Sequence, residues 1–118
     1  MAEGRSAELR KSKRFLLEAS VAFTGVEVIH EGEGTLYNLS SSGCAVRSKS
    51  AVQTGTYLSL RIHVPNRSSP LLVQLAAVRW TDRHQFGLQF LLLQPDEQTC
   101  LAELLAKLGE PGTSSRRS

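Results

Sequence analysis

From Phe15 onward the chain alternates. Leu17, Ala19, Val21 and Phe23 fall on one side of an extended segment, and Leu16, Glu18, Ser20 and Ala22 on the other. A period of two is the signature of a half-buried strand. Thr24-Gly25 bends or bulges it, residues 26–29 continue extended, and Glu31-Gly32-Glu33-Gly34 reads as a turn. A second strand follows over residues 35–39, then a polar loop, then a third strand over residues 44–48. After the turn Gln53-Thr54-Gly55 comes the clearest alternation: Leu58, Leu60, Ile62 and Val64 against Tyr57, Ser59, Arg61 and His63. Residues 65–70 end it, because the prolines at both ends have no N–H for a ladder. A fifth strand spans residues 71–80, and Thr81-Asp82-Arg83-His84 turns the chain. In the sixth, Phe86, Leu88 and Phe90 alternate with Gly87 and Gln89 and run on into Leu91-Leu92-Leu93.

Six strands with frequent turns and no intervening helix predict an all-β antiparallel barrel or sandwich. Closing the sheet hides strand edges that would recruit other chains. One helix ends the fold. Asp96 after Pro95 reads as its N-cap, and Glu97 in the first turn suits the helix dipole. Leu101, Leu104, Leu105 and Leu108 stand at i, i+3, i+4 and i+7, a single face that closes one end or side of the barrel. Gly109 is placed as C′, and Pro111 blocks continuation.

Composition adds bounds. The 118 residues, 41% hydrophobic and 21% charged, suit one domain with one core. No run is long and apolar enough to span a membrane, and the first twelve residues lack a signal-type apolar segment, so a cytoplasmic location is expected. Cys44 and Cys100 form no CxxC or Cys/His cluster, so they are expected as small buried hydrophobes rather than a disulfide or zinc site. His30, His63 and His84 match no metal-ligand spacing and are expected at the surface or rim. The serines near residue 41 lie in no GxSxG elbow and have no evident base, so an enzyme is not expected and no catalytic residue is assigned. Trp80 is expected to pack in the core.

The location of the charge changes the picture. Residues 1–14 carry Arg5, Arg10, Lys11, Lys13 and Arg14 against Glu3 and Glu8, which accounts for the whole formal charge of +3. The remainder is balanced. The expected layout is a flexible basic arm over residues 1–13, a barrel with its helix over 14–109, and a disordered Ser/Arg-rich tail over 110–118. A cationic arm suits an anionic partner: a phosphate ligand, nucleic acid or lipid. In an extended arm, Arg10 and Arg14 lie on the same side, roughly 13 Å apart along the backbone. Lys11 and Lys13 then lie on the other side. Guanidinium groups grip phosphate or the guanine O6/N7 edge bidentately and stack on purines. The loop Asn38-Leu39-Ser40-Ser41-Ser42-Gly43 has more hydrogen-bonding groups than a turn requires, and its glycine lets a ligand approach the backbone.

Arg10-Lys11-Ser12-Lys13-Arg14 ahead of the first strand, with Asn38-Leu39-Ser40-Ser41-Ser42-Gly43 between the second and third, resembles the PilZ family. Val78-Arg79-Trp80 and Phe86-Gly87-Leu88-Gln89-Phe90 also resemble the family's last two strands, and the similarity covers roughly residues 9 to 108. The resemblance implies a six-stranded PilZ-type barrel and a receptor for the bacterial second messenger cyclic di-GMP. Arg10 and Arg14 inherit contacts to guanine and phosphate. Asn38 and Ser40 inherit polar positions on the ligand surface, and Gly43 a backbone-shape position. It implies no cofactor besides the ligand, no metal, and a separate downstream protein to which the ordering of the arm relays the signal. Two other readings stand beside it. One is a small nucleic-acid-binding barrel using the basic arm, disfavoured because the aromatics sit at apolar strand positions. The other is a PilZ-fold adaptor that binds no ligand. Arg79, beside Trp80, is a candidate ligand contact that the sequence alone leaves open.

Overall fold

The computed structural model describes residues 13–27, 30–65 and 67–109. Six strands form it: β1 (Phe15–Gly25), β2 (Glu31–Leu39), β3 (Gly43–Arg47), β4 (Tyr57–His63), β5 (Leu71–Asp82) and β6 (Gln85–Leu92), followed by helix α1 (Pro95–Gly109). They close into a barrel in the order β1-β2-β3-β6-β5-β4, with every neighbouring pair antiparallel. The long strand β1 makes closure possible. Its residue Val21 pairs with Gly34 of β2 on one side and with Ile62 of β4 on the other.

The alternating apolar positions meet inside. Val21, Phe23, Leu36, Leu39, Val46, Leu58, Leu60, Ile62, Leu71, Val73 and Val78 are buried together. Phe23 meets Phe86 edge to face, with ring centroids 5.4 Å apart, the arrangement the ring quadrupoles favour. Leu101 of α1 is buried against this core, and Cys100, Leu104 and Leu105 are half-buried around it, so the leucine face covers part of the barrel as its spacing predicts. Cys44 lies fully in the core.

Three local expectations are corrected. Residues 31–34 are not a turn but the start of β2, in which Gly32 pairs with Phe23 and Gly34 with Val21. The Glu-Gly-Glu-Gly repeat is a strand whose inner positions carry no side chain, because Phe23 and Val46 occupy that space. The chain reverses earlier, where the Gly25 amide donates to the His30 carbonyl at 2.6 Å. Asp96 is not the helix cap. Gln94 supplies the first helical acceptor, to the Gln98 amide at 2.9 Å, so Pro95 is the first helical residue and Asp96 sits within the first turn. Proline favours that position because its missing N–H has no helical partner there anyway. Glu97 does more than complement the dipole: its Oε1 accepts the Leu72 amide at 3.0 Å and ties α1 to β5. Third, β5 runs on to Asp82 and turns at Arg83-His84, with Arg83 at a φ of 57°, a two-residue hairpin connection.

The expected arm and tail, Arg10 and Pro111 included, lie outside the described residues, apart from Lys13. Among the described residues no helix is long and apolar enough to cross a membrane.

The inner and outer faces of β1 set a sharp contrast in stability. Replacing buried Phe23 with alanine is expected to cost about 3–5 kcal/mol through the cavity it leaves. The same change at Leu16, 87% exposed, is expected to stay within about 0.5 kcal/mol. Urea unfolding of the two variants measures both.

Candidate functional site

The site is built on a fault in the alternation of β2. Leu36 pairs with Val46 and Asn38 with Ala45, so β2 carries one residue more than β3 over this stretch. The extra residue is a β-bulge. Its effect is that Tyr37 and Asn38, consecutive in sequence, both stand on the outer side, between the inward-facing Leu36 and Leu39. The β1–β2 register also shifts here, between Leu16 and Ala19.

Each of the two outward residues carries a guanidinium. Arg14 Nη1 donates to Asn38 Oδ1 at 2.8 Å. The Arg47 guanidinium lies over the Tyr37 ring, 4.8 Å from its centroid. Lys13 stands apart, its Nζ 5.5 Å from the ring centre of Phe15.

The loop after Asn38 is shaped by Ser40. Ser40 is fully buried, and its Oγ accepts the amides of Ser42 at 3.2 Å and Gly43 at 3.1 Å. The Ser40 amide donates to the Gly43 carbonyl at 2.8 Å, and the Phe90 amide of β6 donates to the Ser42 carbonyl at 2.8 Å. Ser40 therefore holds the loop together from beneath instead of presenting its hydroxyl on the surface. Gly43 is required by packing: a Cβ there would collide with the Leu88 carbonyl oxygen of β6. Below the loop, burial pushes the Cys44 thiol up to about 12, against the weaker opposing pull of the Arg14 charge. The thiol is a protonated filler, with no thiolate character at neutral pH.

The outer face continues from Asn38 as a row across the sheet. Leu16 pairs with Asn38, Asn38 with Ala45, Ala45 with Gly87, and Gly87 with Trp80. Ala45 and Gly87 rise little above the backbone, so a low floor lies between Asn38 and Trp80, roughly 14 Å across at the usual strand spacing. A second bulge, between Val78 and Trp80 of β5, closes this floor. It turns Arg79 and Trp80 outward together. Trp80 is thus not a core residue: it is 41% exposed, and its indole covers Gly87, where a Cβ would strike Nε1. Arg79 Nε donates to Gln89 Oε1 at 2.6 Å beside it.

Of the residues singled out from sequence, the fold brings together Arg14, Asn38, Ser40 and Gly43. It does not place Arg10. Arg79 stands on the same outer face. His63 and His84 are exposed, whereas His30 is half-buried, stacked on Phe23, with its Nε2 unpartnered among the described residues. Tyr37 and Arg47 were not singled out by sequence reasoning. Only the bulge brings them beside Asn38, and period-two alternation conceals a bulge.

Two measurements check this construction. Ser40→Ala removes the acceptor of two buried-loop amides and is expected to lower stability by about 1–3 kcal/mol, read by urea unfolding. In the native protein Cys44 is expected to resist alkylation at pH 8 and to react only on unfolding, read by mass spectrometry. The folded thiol holds its proton to about 12 against an ordinary value of 9.0. Its contribution to stability is therefore complete below pH 9 and falls as pH rises from there toward 12.

The sequence matches the PilZ domain over residues 8–107, while no curated protein sequence matches it. Among solved structures, the fold is similar to the PilZ domain of CeSA from a cellulose-synthesizing bacterium. The TM-score is 0.65 at 15% identity, covering 82% of this chain and 98% of that one. It is similar to the Bacillus subtilis inhibitor of motility MotI/DgrA, with a TM-score of 0.68 at 22% identity, covering 92% of this chain but only 53% of that one. It is also similar to the PilZ domain of Escherichia coli YcgR with c-di-GMP, with a TM-score of 0.64 at 14% identity, covering 91% of this chain and 98% of that one. At these identities the structures speak for the fold alone. The matched residues span nearly the whole chain, from ahead of β1 to the last turns of α1, and the closed six-stranded barrel with its terminal helix agrees with them: the chain belongs to the PilZ-domain family.

Proposed function

We propose that this protein is a receptor for cyclic di-GMP that passes the signal to a separate protein. The observation that carries the reading is the 2.8 Å bond from Arg14 to Asn38. It joins the second arginine of the RxxxR stretch to the first residue of NxSxxG on one exposed rim. The YcgR PilZ domain, whose fold is similar, was solved with c-di-GMP, and that supports the same ligand class here.

The chemistry suits a compact dianion with two purine bases. Arg14 holds one edge of the site and still has guanidinium N–H groups beyond the one given to Asn38. Arg10, one short step earlier in the chain, supplies a second fork. Asn38 adds an amide with both donor and acceptor character. The exposed Trp80 indole, which lies over Gly87, offers a stacking surface on the same outer face. Ser40 and Gly43 act indirectly, by fixing the loop that carries the rim. Ligand bridging arm and barrel changes the order of the arm, and that change is the signal a partner reads.

Isothermal titration with cyclic di-GMP tests the proposal. The wild-type protein is expected to bind. Arg10→Ala and Arg14→Ala are each expected to weaken binding about 10- to 100-fold, the scale of a lost charge-assisted hydrogen bond, with melting temperature unchanged. Trp80, the single tryptophan, is expected to change its fluorescence on binding, and Trp80→Ala to weaken binding about tenfold. Absence of binding by the wild type, or full affinity in the double arginine variant, overturns the reading.

A further inference from the structure

Another arginine stands on the barrel itself, and it belongs to neither motif. Arg47 closes β3 and faces outward over Tyr37. The Tyr37 hydroxyl donates to Gln85 Oε1 at 2.6 Å, which fixes the ring beneath the guanidinium. Arg47 Nη2 is 3.2 Å from Glu18 Oε2, its one hydrogen bond among the described residues. Both partners of that pair are open to water, with side-chain exposures of 47% and 77%. An ion pair so exposed contributes little to stability and gives way readily to a better anion. Leu16, Leu17, Glu18, Tyr37 and Arg47 line a shallow depression of about 430 Å³. Leu16, which lines it, pairs with Asn38 across β1 and β2. The depression therefore adjoins the rim where Arg14 sits.

These features have no evident structural purpose. The cluster lies outside the core, its ion pair is weak, and a large leucine is left in solvent. Together they make a fixed cation on an aromatic seat, an apolar wall at its side, and a carboxylate that keeps the cation in place until something replaces it.

We propose that Arg47 is a ligand-binding residue, contacting the second phosphate of a cyclic dinucleotide whose first is held by Arg14, and that Glu18 is its competing internal anion. The inference deepens the receptor reading and rests on it. The β2 bulge makes it possible, because it sets the seats of Arg14 and Arg47 on adjacent residues. Glu18 then acts as a built-in brake: ligand phosphate must displace the carboxylate to gain the guanidinium. Affinity is lower than it would be without Glu18.

Titration of cyclic di-GMP into the wild type and four variants decides the matter. Arg47→Gln is expected to bind about tenfold more weakly, and Arg47→Lys to recover part of the loss. Glu18→Gln is expected to bind a few-fold more tightly, roughly 2- to 5-fold, a gain that mere loosening of the fold would not give. Combining Glu18→Gln with Arg47→Gln is expected to abolish that gain, since the brake acts only through Arg47. If the wild type binds and Arg47→Gln binds equally well, Arg47 is no ligand residue while the receptor reading stands. If Glu18→Gln leaves affinity unchanged or lower, the brake is overturned. If the wild type does not bind, the receptor reading falls and takes this inference with it.

Discussion

One extra residue in β2 governs the functional face. In a regular strand only one of Tyr37 and Asn38 would face outward, and the other would enter the core. The bulge opposite β3 turns both out and leaves Leu36 and Leu39 correctly inside. Arg14 and Arg47 find their seats only because of this. A bulge is held by the ladder on either side of it, so the geometry of the rim is enforced by barrel closure and not by the loop alone. The second bulge, in β5, does the same for Arg79 and Trp80 on the far side of the floor. The outer face is thus framed by two departures from regularity, with two small residues between them.

The loop that follows Asn38 shows how a polar segment is kept rigid without burying unpaired groups. Ser40 turns its hydroxyl inward to serve two amides, and β6 donates one of its own amides to the loop carbonyl at Ser42. Gly43 allows β6 to come that close. The loop is therefore an integral part of the β3–β6 seam. Its two polar outer neighbours, Asn38 and Arg14, rest on a platform that the fold has already organised.

Much of this was legible in the residues. β4 and β6 alternate so cleanly that their boundaries and inward faces follow directly, and the leucine spacing of α1 places its buried side. The start of β2 was hidden because glycine occupies its inner positions, and a period-two pattern with no inner side chain looks like a turn. Strict alternation from Val78 would turn Trp80 inward; the bulge shifts it out, over Gly87. Motif order assigns Arg14 and Asn38 to one site, and the hydrogen bond between them joins the two motifs. The inward turn of Ser40 was not readable, since a serine hydroxyl serves a ligand or its own loop with the same atoms. Arg47 left no signal at all: a charged residue at a strand end is ordinary until a bulge gives it an aromatic neighbour.

Phe15, next in the chain after Arg14, rests against Gly109 at the last turn of α1. The first strand and the final helix therefore meet at one corner of the barrel, and the polypeptide enters and leaves the described fold at nearly the same place. A unit with its doorway at one corner can be spliced into a longer polypeptide without disturbing its own hydrogen bonding. Both ends of the described fold therefore stand close to Arg14, the residue that reaches Asn38.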